Sequence, residues 1–143
     1  MTGPLAAIAT QMYDVFDFKS AAAGKLDHVF ERFAVPDLEI EPPPLYPDMK
    51  VYRGIAEIRG FYAMLTEVWE EWTFEPGEME EAGDRLLVHV RLNARGRGSG
   101  LELVNDAFHV WTFRDGKIAR IKTVLDESEA RRTAGLGDLQ SPR

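Results

Sequence analysis

His109 stands in the run Ala107-Phe-His-Val-Trp-Thr-Phe-Arg-Asp-Gly-Lys-Ile, a titratable ring among apolar and aromatic neighbours. A histidine in that setting can hold or pass a proton near neutral pH, because its reference pKa of about 6.5 is easily moved by its surroundings. It can equally be a buried neutral ring satisfied by a tyrosine or a backbone carbonyl. Tyr13 and Tyr62 offer phenolic hydroxyls, which either stabilise charge developing on a ligand oxygen or reach a cavity rim from packed rings. Phe61 precedes Tyr62, and Trp111 shares the strand parity of His109, as does Asn105. Glu41 closes Leu38-Glu-Ile-Glu-Pro and offers a carboxylate. His89 and Arg91 alternate with Leu86, Val88, Val90 and Leu92. If the polar face turns inward, the site is cationic and suits a carboxylate or phenolate. If the apolar face turns inward, that pair lies outside. Both arrangements remain open at this stage.

Other constellations carry less. His28, His89 and His109 show no metal-ligand spacing, and cysteine is absent, so neither a metal nor thiolate chemistry is expected. Gly96-x-Gly98-x-Gly100 lacks a following helix and reads as a hairpin loop rather than a dinucleotide cradle. Trp69, Trp72 and Trp111 read as core or pocket wall, and the acidic run from Glu78 to Asp84 as a solvated turn.

These residues need elements to position them. Leu5, Ile8, Met12, Val15 and Phe16 recur at helical spacing, which predicts a helix over residues 4–18. Leu26, Val29, Phe30 and Phe33 predict a second, shorter helix, stopped by Pro36. Asp37 to Glu41 alternates as a short strand, and Pro42, Pro43, Pro44 and Pro47 enforce an extended loop. Ile55, Ile58, Phe61, Tyr62, Leu65, Val68, Trp69 and Trp72 form one apolar stripe of a long third helix. Strands are then predicted at 73–81, 85–93, 101–113 and 117–125. A three-residue Arg114-Asp115-Gly116 turn sets His109 opposite Ile121 and turns the odd-numbered residues of its strand inward. Asp126 caps a final helix, with Glu129 three residues on. Helices followed by an antiparallel meander define an α+β class: a curved sheet wrapped around three N-terminal helices, with an internal pocket and a short C-terminal helix.

Composition bounds the partners. The 143 residues suit a single domain, expected over 1–136, with 137–143 as a disordered tail. The net charge of −7 repels phosphate backbones, which argues against nucleic acid. The N-terminus does not read as a signal peptide, and no apolar run approaches the roughly 20 residues of a membrane span. A cytoplasmic protein is expected. An apolar sheet face left in water is unfavourable, so a homodimer packed through the sheet is expected too.

With this element order, the Gly-rich loop, His109-Val-Trp-Thr-Phe-Arg-Asp-Gly-Lys-Ile and Glu129-Ala130 to Ala134-Gly-Leu, the chain resembles the SnoaL-like branch of the nuclear transport factor 2-like superfamily. That resemblance implies a cone with an internal pocket, often dimeric through its sheet, in a group that includes polyketide cyclases. It extends to steroid isomerases through Arg53-Gly-Ile-Ala-Glu-Ile-Arg-Gly-Phe61-Tyr62. By that likeness Tyr13 matches an oxyanion-stabilising tyrosine, and His109 falls where those enzymes carry a second oxyanion-hole group. Pro42 occupies the position of their catalytic base, with Glu41 adjacent. Thr123 lies in the region where polyketide cyclases carry a carboxylate. The resemblance implies binding of a small hydrophobic, oxygen-bearing molecule, polyketide-like or steroid-like. If a reaction follows, it is cofactor-free proton transfer with His109 as acid/base and Tyr13 stabilising negative charge. A non-catalytic ligand-binding or protein-interaction domain is the alternative.

Overall fold

A long strand hairpin needs helices to cover its apolar face, and here the chain supplies them before the strands are made. The computed structural model describes residues 3–43 and 50–137. Pro44 and Pro47 of the expected proline loop, and residues 138–143 of the expected tail, lie outside the described residues. Helix α1 (Pro4–Val15) opens with proline at its first turn and turns Ala6, Ala9 and Met12 toward the core. It stops before the predicted residue 18. Asp17 accepts a hydrogen bond from the Ser20 amide and starts a separate helix, α2 (Phe18–Ala22). Helix α3 (Asp27–Phe33) follows.

Strand β1 (Ala34–Glu41) is longer than predicted and contains Pro36. The proline sits where the β1 register shifts, between Ala34 and Glu39, so no ladder bond is lost to its missing N–H. A short strand β2 (Tyr52–Arg53) leads into helix α4 (Gly54–Val68). The predicted extension of that helix to Trp72 is overturned. Trp69 and Trp72 begin strand β3 (Trp69–Ala82), paired with Gly96 and Ala94. Strands β4 (Arg85–Gly96), β5 (Glu102–Arg114) and β6 (Lys117–Val124) complete the sheet, and α5 (Glu127–Ala134) closes the fold. Asp126 caps α5 by accepting from the Glu129 amide, as its sequence predicts.

Among the described residues the six strands run in the order β2-β1-β6-β5-β4-β3, in a curved sheet that does not close. All neighbours are antiparallel except β1 and β6. The β5–β6 turn is tighter than the three-residue loop predicted. Asp115 (φ 52°) and Gly116 (φ 79°) both adopt left-handed backbone, the pattern of a two-residue I′ turn, and Arg114 pairs with Lys117. Ala119 then bulges out between the Phe113–Ile118 and Thr112–Arg120 pairs. Turn and bulge together move His109 opposite Thr123, not Ile121, which instead faces Trp111. The shift is two residues, so the inward parity survives.

The helices pack on one face of the sheet, where Ile58, Leu65, Leu86, Val88, Val90 and Ile118 are almost wholly buried. Each such side chain contributes roughly 1.5–3 kcal/mol relative to exposure. A smaller core on the other face joins Leu87, Phe108, Val110 and Val124 to Ala130 and Ala134 of α5. The sheet face expected to be bare and apolar is therefore partly covered by the chain's own last helix. The acidic run is also more than a solvated turn. Glu80 pairs with Arg131 at 2.7 Å, and Glu81 accepts from the Ala6 amide at the start of α1. No helix among the described residues is long and apolar enough to cross a membrane.

Candidate functional site

Residue parity on β5 decides the site. Ala107, His109, Trp111 and Phe113 turn toward the helices, while Phe108 and Val110 turn toward α5. Helix α1 packs against β3 and β4, and Tyr13 in its last turn reaches over to β5. The Tyr13 hydroxyl is 2.6 Å from His109 Nδ1, and Trp111 Nε1 donates to the same hydroxyl at 3.2 Å. The Tyr13 and His109 rings are nearly parallel, 5.8 Å apart, and Phe74 of β3 meets His109 edge-on at 4.4 Å.

Donor counting gives one arrangement that satisfies every group. An indole N–H can only donate, so the Tyr13 oxygen accepts from Trp111. The single phenolic hydrogen is assigned to His109 Nδ1, the remaining partner of Tyr13 among the described residues. That leaves the hydrogen of the neutral imidazole on Nε2. Burial away from water pushes the His109 pKa down from 6.5 to about 3, and it raises those of Tyr13 and Tyr62. The expected titration near neutrality is thus corrected: all three groups are uncharged at neutral pH.

Around this relay lies a cavity of about 280 Å³, close to the lower end of ordinary small-molecule sites. Its sheet wall carries Trp72, Phe74, His109, Trp111, Ile121 and Thr123. Its helical wall carries Met12, Tyr13, Phe16, Phe61 and Tyr62, and Ile40, Pro42 and Pro43 at the end of β1 complete the lining. Tyr62 stacks obliquely on Phe16 and Phe61.

The structure brings His109, Tyr13, Tyr62, Phe61 and Trp111 to one cavity. It does not bring Glu41, His89, Arg91 or Asn105 there. Glu41 follows Ile40, which lines the cavity, and so points to the opposite side, paired with Arg120 and with Lys122 at 3.8 Å. On β4 the apolar residues Leu86, Val88, Val90 and Leu92 take the inner face. His89 and Arg91 are consequently exposed, 3.4 and 3.9 Å from Asp106, and the cationic version of the pocket is not what forms. Asn105 is exposed and keeps its amide in water.

Phe74 and Pro43 were not expected in the site, and Pro42 and Thr123 entered only through the resemblance, at positions where relatives carry catalytic carboxylates. Thr123 was reachable in principle, since Ile121 and Thr123 alternate along β6, but its pairing with His109 depends on the Ala119 bulge. Phe74 depends on β3 beginning before residue 73.

A cone-like sheet filled by helices and hollowed around one polar relay is the nuclear transport factor 2-like class of domain. Residues 9–121 match the SnoaL-like domain, and the chain belongs to that family. No curated protein matches it significantly. Among solved structures, TerC co-crystallised with polyporic acid is 25% identical, with a TM-score of 0.65 over 92% of this chain and 98% of that one. A protein from a Jannaschia species described as a SnoaL-like polyketide cyclase is 18% identical, with a TM-score of 0.67 over 97% and 94%. A nuclear transport factor 2-like protein from Burkholderia thailandensis is 23% identical, with a TM-score of 0.66 over 99% and 100%.

Proposed function

We propose that this domain binds a small hydrophobic molecule bearing oxygen, polyketide-like or steroid-like, in the cavity between α1, α4 and the sheet. One observation carries the reading: Trp111, Tyr13 and His109 form a hydrogen-bonded chain that ends at His109 inside a largely apolar cavity, and with Tyr13 donating to Nδ1 the chain presents an Nε2–H there. Such a hydrogen, held by a relay rather than by water, suits a ligand carbonyl. TerC, similar in fold, has been co-crystallised with polyporic acid, which supports a small-molecule ligand here. Titration with an aromatic ketone, followed by tryptophan emission, tests it, because Trp72 and Trp111 line the cavity. Binding should quench emission, and Tyr13→Phe should weaken it about five- to tenfold by removing the hydroxyl that orients His109. Failure of every ring ketone tried to bind would reject the reading.

Turnover is the second reading, favoured by the 2.6 Å contact between Tyr13 and His109. A neutral imidazole that donates to a carbonyl draws negative charge onto that oxygen and so acidifies the adjacent carbon; with no carboxylate among the described lining residues, water takes the proton that leaves. His109→Asn would then lower turnover of an identified ligand by about 10²–10⁴-fold. Equal rates would leave a binding domain. A homodimer across the outer sheet face and a cytoplasmic location complete the proposal. Val104, exposed on β5, is an apolar side chain that a dimer would cover, and light scattering decides between one copy and two.

A further inference from the structure

The polar inventory of the cavity says more about its occupant, provided the small-molecule reading above is right. Among the described residues, no aspartate, glutamate, lysine or arginine lines it. Charged residues beside the lining positions turn elsewhere: Glu41 to Arg120 and Lys122, Glu71 to Arg95, Glu75 to Asn93. Four lining side-chain polar atoms have no partner among the described residues: His109 Nε2, the Tyr62 hydroxyl, the Thr123 hydroxyl and Trp72 Nε1. Three other buried side-chain atoms are both unpartnered and closed off from solvent, namely Arg59 Nε, Trp69 Nε1 and Arg120 Nε. His109 Nε2 and the Tyr62 hydroxyl are not among them, so both border open space, and the open space they share is the cavity. They approach from opposite walls, one from β5 and one from α4.

Both groups are neutral donors. A carbonyl, ester or ether oxygen finds there the hydrogen bonds it gives up in water. An ionised carboxylate finds the same two donors but, among the described residues, no cation, in a cavity whose walls are mostly carbon, inside a protein of net charge −7. Buried charges are tolerated where they are paired, and this one would not be. We propose that the cavity selects uncharged, oxygen-bearing ring compounds and excludes the ionised forms of the same skeletons. The sequence alone allowed the opposite, an anion held by His89 and Arg91. The inward turn of the apolar β4 face removes that arrangement.

Three probes of one skeleton test the selection: 2-acetylnaphthalene, methyl 2-naphthoate and sodium 2-naphthoate, compared by equilibrium dialysis against the full chain at pH 7.5. The ketone and the ester should be retained with similar affinity, and the carboxylate should bind at least about a hundredfold more weakly. Carboxylate binding within tenfold of the ester overturns the charge selection and leaves the small-molecule reading standing. Retention of none of the three overturns the small-molecule reading itself and this proposal with it.

Discussion

Acid should destabilise this chain more than a version without the His109 ring. In the native state burial holds His109 near a pKa of about 3, against 6.5 for the free group. As pH falls through about 6.5 the unfolded chain takes up a proton that the native chain refuses until about 3. Between those values the unfolded state binds more protons, so stability drops as pH drops; above about pH 7.5 the ring is neutral in both states and contributes nothing to the slope. Each pH unit below 6.5 removes about 1.4 kcal/mol. At pH 4.5 the loss is about 3 kcal/mol, a large part of a typical total of about 5–15 kcal/mol. Among the described residues no carboxylate lines the cavity to offset it. The assay is urea unfolding by tryptophan emission from pH 8 to pH 4.5, on wild type and His109→Gln. Surface carboxylates titrate alike in both chains, so the difference isolates the ring. The stability of wild type relative to the variant should fall by about 3 kcal/mol over that range. Parallel curves would refute the assignment of His109 as a neutral, desolvated group.

Replacing His89 and Arg91 together by alanine should leave affinity for a neutral ring ketone within about twofold of wild type, since both lie on the outer face; equilibrium dialysis measures it, and a larger loss would place them in the site. Glu80→Ala should lower unfolding stability by about 2 kcal/mol, because it strands the buried Arg131 guanidinium. That is less than a fully enclosed pair would lose, since the Glu80 side chain is 47% exposed. Adding Arg131→Met should restore much of the loss in the same urea assay.

The parts of the fold legible in the sequence are those set by local period and local caps. Leu86, Val88, Val90 and Leu92 alternate, so a half-buried strand follows whatever else the chain does. Asp126 needs only the Glu129 amide, three residues away. Trp69 and Trp72 misled for the same reason. Their spacing continues the stripe of α4, and only their pairing with Gly96 and Ala94 shows that the helix has ended. Partners far along the chain leave no trace in either segment. Arg131 meets Glu80 across 51 positions, and the Ala6 amide meets Glu81 across 75. The site was legible where it depended on parity, as for His109 and Trp111 on β5. It was not where it depended on the exact turn, because nothing in Lys117-Ile-Ala-Arg-Ile announces that Ala119 will bulge.

The parallel pairing of β1 with β6 has a consequence for when the chain acquires its binding property. Ile40 and Ile121 lie side by side, although about eighty residues separate them, and such distant pairing is among the slower steps of folding. The entropy of closing so long a loop grows only logarithmically with its length, but it must be met before the contact returns anything. During synthesis, a chain that has emerged as far as β5 already holds Tyr13, Tyr62 and His109. It lacks Ile121 and Thr123, so Ile40 is held by β2 on one side only. One wall of the chamber is therefore the last thing to be made, and a nascent or clipped chain that stops before Lys117 has every polar group of the relay and an enclosure open on the β6 side.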